Sequence, residues 1–283
     1  MKGTGTSHGA ATIVNAIASG KGVAFGIDLS TSAEVELFPG EGIDVVLEGL
    51  PGESALLAQN CVRNVLERYA PGQHLGASVV TRSEIPVSRG LKSSSAAANA
   101  IVLASLDALG IEERPEDAVR LGTRAAIEAG VSVTGAFDDA CASLFGGVVF
   151  TDNRSEVVLS REPLPDYLKA VIHVPEFQIR KGSLPLERIA GLKGLVDLAF
   201  AQACGGDYYR ALTLNGMCYS SALGLDQSVA LRALQNGALA AGLTGTGPAT
   251  VMLVVQDKVR EFVGSMDGLE LKVVDLYNGE ERT

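Results

Sequence analysis

The sequence predicts an α+β fold, and three observations support that fold class. Short runs rich in Val and Ile, separated by glycines, fill the N-terminal part and favour β-strands. Apolar residues recur at helical spacing over 53–69, and strands alternate with helices further along the chain. The 283 residues exceed a minimal domain, and 47% of them are hydrophobic. The chain can therefore bury two lobes or one large core, in an α+β sandwich.

Strands dominate the predicted N-terminal part, and helices separate strands in the rest. Pro51-Gly52 precedes the first predicted helix, and Pro115 stands where a helix start tolerates proline. The glycine-rich segment 245–248 predicts a turn between antiparallel strands. A boundary near residue 160 would separate lobes 1–160 and 161–283. Predicted strands cover 11–14, 22–29, 33–37, 43–48, 77–81, 148–150, 169–174, 238–243, 250–255 and 271–276, and predicted helices cover 53–69, 115–129, 138–144 and a segment beginning near 94.

Composition limits the location and the class of partner. The formal net charge of −10 disfavours nonspecific binding to nucleic acids or anionic membranes, so an anionic ligand needs a local positive feature. Polar residues interrupt the longest apolar stretch, 96–109, and no secretory signal is visible, so a cytoplasmic location is expected. Without C-x-x-C spacing, the cysteines are expected to be buried thiols rather than zinc ligands. They are Cys61, Cys141, Cys204 and Cys218.

The segment 86–98, PVSRGLKSSSAAA, carries the strongest functional signal. Three serines precede an alanine-rich helix, and one of them is expected to cap it. Unpaired backbone N–H groups at a helix start suit a phosphate, while Gly90 permits close approach and Arg89 and Lys92 add positive charge. An ordinary capped helix behind a turn is the simpler interpretation. A Walker A loop is disfavoured, because Gly20-Lys21-Gly22 lacks the upstream glycine and the following Ser or Thr.

This segment resembles the central ATP-binding motif of the GHMP kinases, P-x-x-x-G-L-x-S-S-A-A. Lys92 stands where the family has glycine between Leu and Ser. The resemblance implies an ATP site with Mg²⁺. The implied ATP-binding residues are Pro86, Ser88, Arg89, Gly90, Leu91, Lys92, Ser93, Ser94, Ser95 and Ala96.

Two further segments resemble GHMP motifs in the expected order. The segment 242–249, GLTGTGPA, is similar to the C-terminal glycine motif, and 134–140, TGAFDDA, is similar to the G-x-x-D-[ND]-A stretch with the catalytic aspartate. The resemblance implies that Asp138 contacts the acceptor hydroxyl, as a base or as an orienting group. It also implies that Ser94 and Glu128 hold Mg²⁺, a cation that prefers oxygen ligands.

Each of these features also has a simpler explanation. The segment 242–249 fits a glycine hairpin between strands, and Asp138 or its neighbour Asp139 fits a helix cap. Glu128 fits a solvent-facing helix residue. A nonenzymatic protein would nevertheless leave three separate glycine or serine signatures unexplained.

The segments 7–17 and 20–29 resemble the opening of the archaeal shikimate kinases, a branch of the GHMP kinases. This resemblance spans the chain and implies phosphorylation of shikimate to shikimate 3-phosphate, with ATP and shikimate as small-molecule partners. It implies an N-terminal lobe like domain 2 of ribosomal protein S5 and a ferredoxin-like C-terminal lobe. Homoserine kinase or a mevalonate-type kinase is the alternative, and a nucleotide-binding module without turnover is the alternative from another class.

Shikimate carries one carboxylate and three ring hydroxyls, so its site should offer a cation and hydrogen-bonding groups. Lys21, Arg180 and Lys181 are candidates for the carboxylate partner, and His8 and Asn15 are candidates for the ring hydroxyls. Each has a simpler explanation as a solvated or structural residue. The glycine motif adds Gly245, Thr246 and Gly247 as substrate-binding candidates.

Overall fold

A computed structural model describes residues 1–132, 135–177 and 184–279. Within these ranges the chain forms two β-sheets with helices packed on them, which confirms the α+β class. The strands are β1 Lys2–Val14, β2 Lys21–Pro39, β3 Ile43–Leu47, β4 Leu75–Ser83, β5 Val148–Asp152, β6 Val157–Glu162, β7 Leu168–His173, β8 Ala240–Leu243, β9 Thr250–Val255, β10 Leu271–Val274 and β11 Leu276–Tyr277.

The long strand β2 organises the first sheet. It pairs antiparallel with β1, β4, β5 and β11, while β3 and β4 form a parallel pair and β6 lies beside β5. The second sheet is antiparallel in the order β10-β7-β9-β8. Its β8–β9 pair confirms the antiparallel turn that was expected at 245–248.

The structure corrects several strand predictions. The predicted strand 11–14 is the end of β1, which begins at Lys2, and the predicted strand 271–276 divides into β10 and the start of β11, which belong to different sheets. The predicted strands 22–29 and 33–37 are one strand, because the polar residues 30–32 remain extended and pair with β1 and β4. No strand was predicted where β6 lies, because its residues are mostly exposed and include charged ones. This strand also crosses the expected boundary near residue 160, and β11 returns the chain to the first sheet. The division into lobes 1–160 and 161–283 stays a prediction.

Helices cover both sheets, and small residues let the central one approach the first sheet. In helix α2, Ser93–Leu109, the backbone at 100–108 lies so close to β1 that a Cβ on Gly3 would meet the Ala108 nitrogen at 2.2 Å. A Cβ on Gly5 would meet the Ala100 carbonyl oxygen at 2.3 Å. Among the described helices, none is long and apolar enough to cross a membrane. The helices are α1 Leu56–Tyr69, α2 Ser93–Leu109, α3 Pro115–Glu128, α4 Phe137–Phe145, α5 Leu186–Ala190, α6 Lys193–Cys204, α7 Tyr208–Leu223, α8 Ser228–Gln235 and α9 Val259–Ser265.

The largest hydrophobic core joins the two sheets. Phe25 and Ile13 of the first sheet share it with Ile172 and Val251 of the second and with Tyr219 of α7. Burying such aliphatic and aromatic side chains supplies about 1.5–3 kcal/mol each. The shared core therefore holds the ends of both sheets, and the loops that leave them, in a fixed relation.

The cysteine prediction holds for three residues of four. Cys61, Cys141 and Cys218 are buried free thiols, and burial raises the pKa of each. Cys204 is free but exposed, so the expectation of burial was wrong there. It lies in the last turn of α6, on a face that the core does not cover.

Candidate active site

A cavity of about 420 Å³ lies where the start of α2, the first turn of α4 and the β8–β9 loop meet. Its lining includes eleven residues that the sequence analysis named as site candidates. They are Asn15, Ser88, Gly90, Lys92, Ser93, Ser94, Ser95, Asp138, Gly245, Thr246 and Gly247. A more open groove of about 620 Å³ lies between 40–43 and 70–75 and contains none of those residues. The first cavity is therefore the candidate site.

The start of α2 presents free backbone donors to this cavity. The helix begins at Ser93, and Lys92 at the N-cap position makes no capping bond with its side chain. The prediction that one serine caps the helix was therefore wrong, because the serines occupy the first helical turn themselves. The first turn-closing bond runs from the Ala96 N–H to the Lys92 carbonyl at 3.0 Å. The N–H groups before it remain available for an anion.

Backbone strain concentrates around the cavity. Ser88, Lys92 and Ala136 have φ angles of 57°, 65° and 52°, in the left-handed region that favours glycine. All three line the cavity. A non-glycine residue held in this region destabilises the chain by about 1–2 kcal/mol, and such strain clusters at functional sites.

The segment that resembles the ATP-binding motif, residues 86–96, is called the nucleotide loop below. Its other residues support its conformation. The side chains of Leu91 and Ala96 are buried in the core that joins the sheets. Arg89 donates through Nη1 to the carbonyls of Pro175 and Phe177. Pro86 and Arg89 do not line the cavity. The predicted loop thus divides into residues that face the cavity and residues that anchor it.

The nucleotide loop is hydrogen-bonded to the loop between β8 and β9, residues 244–249, which is called the glycine loop below. Thr244 Oγ1 donates to the Gly90 carbonyl at 3.1 Å, and the Ala249 N–H donates to the Arg89 carbonyl at 3.1 Å. The Thr12 N–H donates to Thr244 Oγ1 at 3.0 Å. These bonds tie β1, the nucleotide loop and the second sheet together at one edge of the cavity.

Asn15 extends this connection from the end of β1. Its Nδ2 donates to the Gly245 carbonyl at 3.0 Å. Its own N–H donates to Asn215 Oδ1 at 3.0 Å, and the Tyr219 hydroxyl donates to its carbonyl at 3.2 Å. Asn15 therefore lines the cavity while fixing the glycine loop, a supporting role that the sequence analysis did not assign.

Asp138 is held in one orientation in the first turn of α4. Only 4% of it is exposed, Asn153 Nδ2 donates to its Oδ1 at 2.7 Å, and its N–H donates to Asn153 Oδ1 at 3.2 Å. Gly22 makes room for it, since a Cβ there would meet Asp138 Oδ2 at 2.4 Å. Burial, and then the charge of Asp139, raise the pKa of Asp138 to about 7, although Lys92 and Asn153 oppose the shift.

This pKa predicts a pH dependence of turnover. If Asp138 takes the proton of the acceptor hydroxyl, as the motif resemblance implies, only its ionised carboxylate can do so, and kcat/KM is expected to rise with pH through about 7 and then level off. The measurement is kcat/KM for the acceptor between pH 5 and pH 9 at saturating Mg²⁺. The residual activity of Asp138→Asn is the control and should lack this step. A profile with the same step in both proteins would assign the titration to another group.

Lys92 and Asp139 form an ion pair on the wall of the cavity. Lys92 Nζ lies 2.8 Å from Asp139 Oδ2, and the two side chains are 7% and 12% exposed. Asp139 Oδ1 is buried without a hydrogen-bond partner in the described part of the chain. A buried carboxylate oxygen of this kind is a ready acceptor for a cation or a donor.

The substrate-binding candidates His8 and Lys21 lie outside the cavity lining. His8 stacks on Tyr277 with ring centroids 3.6 Å apart and faces Asp28. Lys21 Nζ lies over the Phe200 ring, 5.3 Å from its centroid.

Glu128, at the end of α3, accepts from Asn64 Nδ2 at 3.1 Å and from Arg124 Nε at 2.8 Å. Its carboxylate therefore already has two partners, and Glu128 does not line the cavity with Ser94. Arg180 and Lys181 lie outside the described residues. The function proposed below therefore does not use His8, Lys21 or Glu128, while the roles expected for Arg180 and Lys181 stay predictions.

The comparisons with known proteins agree with this arrangement. The family profile described as GHMP kinases N terminal domain matches residues 56–147. Homoserine kinase from Cytophaga hutchinsonii has a similar fold, with a TM-score of 0.76, 20% identity, and coverage of 98% of this chain and 96% of that one. Galactokinase from Lactococcus lactis, solved with galactose, gives a TM-score of 0.79 at 15% identity and covers 100% and 95%. The solved structures thus show that this chain has the fold of the GHMP kinases, and the profile match places a GHMP N-terminal domain over the loop-to-helix segment.

Curated relatives narrow the assignment. A protein of Methanosarcina acetivorans named shikimate kinase is 46% identical over 278 residues, 97% of this chain and 93% of the relative. One of Methanothrix thermoacetophila with the same name is 50% identical over 254 residues, 90% and 86% of the two chains. The chain belongs to the archaeal shikimate kinase family of the GHMP kinases.

Proposed function

We propose that this protein transfers the γ-phosphoryl group of ATP to a ring hydroxyl of shikimate and releases shikimate 3-phosphate and ADP. One observation carries the proposal: the uncapped start of α2 and the buried carboxylate of Asp138 line the same cavity of about 420 Å³. The first suits the phosphates of a nucleotide, and the second suits an acceptor hydroxyl. The relatives named shikimate kinase support shikimate as the acceptor.

The cavity has an apolar end and a polar end, which fit the two parts of ATP. Leu47, Leu50, Leu57 and Ile101 line the apolar end and offer a surface for the adenine base. Ser93 to Ser95 and the glycine loop line the polar end. The phosphates would extend along the start of α2, with the γ-phosphoryl group toward Asp138.

Asp138 would act on the acceptor hydroxyl. Asn153 Nδ2 donates to its Oδ1 at 2.7 Å, which fixes the orientation of the carboxylate at the cavity wall. In the transfer, the acceptor oxygen bonds to the γ-phosphorus and the bond from that phosphorus to the β–γ bridging oxygen breaks. The hydroxyl proton passes to Asp138. Most of the rate gain in such transfers comes from positioning and charge stabilisation.

The residues of the cavity fit a bound Mg²⁺. Asp139 Oδ1 is a buried, unpartnered carboxylate oxygen in the described chain, and the Ser94 hydroxyl lines the same cavity. Such hard oxygen donors suit Mg²⁺, which also keeps ligands from substrate phosphates. When bound, the ion would neutralise charge on the β- and γ-phosphates. Ser94 and Asp139 are the residues that would hold it.

The experiment that tests the function is an ADP-release assay with Mg-ATP and three acceptors in parallel: shikimate, homoserine and mevalonate. Turnover with shikimate alone, with the phosphate located by ³¹P NMR at the 3-oxygen, is the expected result. Turnover with another alcohol would support kinase activity but reject shikimate as the acceptor. If the protein binds ATP in a titration but turns over none of the three acceptors, the result would favour a nucleotide-binding module.

Replacing Ser94 by Ala is expected to weaken the use of Mg-ATP. Loss of one oxygen ligand should raise the Mg²⁺ concentration for half-maximal activity by about tenfold, the equivalent of roughly 1.4 kcal/mol. The measurement is turnover against free Mg²⁺ at fixed ATP. Ser105→Ala is the control, because it removes a hydroxyl that bonds the Ile101 carbonyl within the same helix. An unchanged Mg²⁺ dependence would remove Ser94 from the metal site.

A further inference from the structure

Lys92 has a backbone conformation that favours glycine. Its φ of 65° lies in the left-handed region, at the position where the GHMP loop pattern has glycine. A lysine strains the backbone in this region, whereas a glycine would not. The strained backbone indicates that the lysine side chain has a use in this site.

The ammonium group of Lys92 is held at the polar end of the cavity. Nζ pairs with Asp139 Oδ2 at 2.8 Å, and a Cβ on Gly245 would lie 2.7 Å from Nζ. The group therefore sits between the first turn of α4 and the glycine loop. Lys92 thus pairs with Asp139, the residue that follows Asp138 in the first turn of α4.

A purely structural ion pair explains these facts poorly. Buried pairs add little net stability, because the loss of hydration offsets their attraction. This pair also lines a ligand cavity instead of filling a core. Among the described residues that line the cavity, Lys92 is the one Lys or Arg. In a protein of net charge −10, it is the group available there to neutralise charge on a moving phosphoryl group.

We propose that Lys92 is a catalytic residue whose ammonium contacts the γ-phosphoryl group during transfer, with Asp139 as the residue that positions it. The proposal rests on the function proposed above. Lys92 forms no covalent bond in the step. It stabilises the negative charge on the non-bridging γ-oxygens while the bond to ADP breaks and the bond to the acceptor oxygen forms.

The test compares Asp139→Asn with the double variant Lys92→Met/Asp139→Asn. The double variant removes both charges together and leaves no unpaired buried ion, so it is expected to fold. Relative to the single variant, its kcat should fall by about 10²- to 10³-fold, the usual effect of losing one transition-state donor. KM for ATP and for the acceptor should change little. Lys92→Arg with Asp139 retained should keep part of the activity.

Two kinetic outcomes would overturn the proposal. Equal kcat in the single and double variants would make Lys92 structural. A rise confined to KM for shikimate would make Lys92 the partner of the acceptor carboxylate. Lys193→Met is the control, since this lysine pairs with Asp197 on the exposed face of α6 and should have wild-type kinetics.

A binding measurement separates this proposal from the choice of acceptor. Aluminium fluoride with Mg-ADP mimics the transferring phosphoryl group and requires no turnover. The double variant should bind Mg-ADP like the single variant but bind Mg-ADP with aluminium fluoride at least about tenfold more weakly. Equal binding of the mimic by both variants would refute the role of Lys92 even in a kinase for another alcohol. Failure of wild type to phosphorylate shikimate would refute only the acceptor.

Discussion

Replacing Asp138 by Asn is expected to lower kcat by about 10²- to 10⁴-fold, the range that general base catalysis contributes. The amide cannot take the proton of the acceptor hydroxyl. It can still accept the bond from Asn153 Nδ2, so α4 should keep its position and ATP should still bind. The measurements are steady-state turnover with Mg-ATP and shikimate, and a nucleotide titration by calorimetry. Near-wild-type turnover would show that Asp138 is not the catalytic carboxylate.

The stability of the same variant offers an independent check. The pKa of Asp138 in the folded protein, about 7, is above its ordinary value of 3.8, so the folded state retains a proton that the unfolded state releases. The wild-type protein therefore loses stability as pH rises through this window, by an amount on the order of 1–4 kcal/mol. Asp138→Asn lacks this loss. Its melting temperature should exceed that of wild type at pH 8, with a smaller difference at pH 4.

The sequence predicted the part of the site that its motifs encode. Ser94, Asp138 and Gly245 are far apart in the chain, yet each lies in a segment that resembles a GHMP motif, and the structure brings all three to one cavity. The α+β class was also predictable, since hydrophobic periodicity is local. Roles that depend on distant partners were not. Asn153 holds Asp138, but in the sequence it follows a strand within an ordinary polar turn.

Single polar residues outside the motifs did not predict which side chains line the cavity. His8 and Lys21 stand in distinctive N-terminal segments, but their side chains pack against Tyr277 and Phe200. The resemblance to GHMP kinases implied that Glu128 is a metal ligand, whereas its carboxylate is bonded to Asn64 and Arg124. The direction of a side chain depends on the packing of its helix or strand, which one sequence does not encode locally. Motif positions are easier to predict from the sequence, because there the backbone of the loop itself forms the candidate site.

Gly90→Ala is expected to separate the nucleotide loop from the glycine loop. A Cβ at this position would lie 2.3 Å from the Thr244 carbonyl oxygen and 3.3 Å from the Gly247 nitrogen, and neither backbone atom can yield alone. The bond from Thr244 Oγ1 to the Gly90 carbonyl would be lost as well. Because displacement of a catalytic loop by about 1 Å can lower activity about 10²-fold, kcat/KM for ATP should fall by at least that factor.

Gly90→Ala has two effects, backbone strain and a collision between the loops. Gly72→Ala separates them, because it produces the strain alone. Gly72 has a φ of 80°, close to the 88° of Gly90, but no described atom lies within 4 Å of a Cβ built on it. Alanine at either position suffers the left-handed strain of about 1–2 kcal/mol. Only Gly90→Ala adds the collision between the loops. Thermal unfolding should therefore show a modest loss for Gly72→Ala with normal ATP kinetics, and a larger loss together with impaired kinetics for Gly90→Ala. Equal kinetics in the two variants would mean that contact between the loops does not set the nucleotide site.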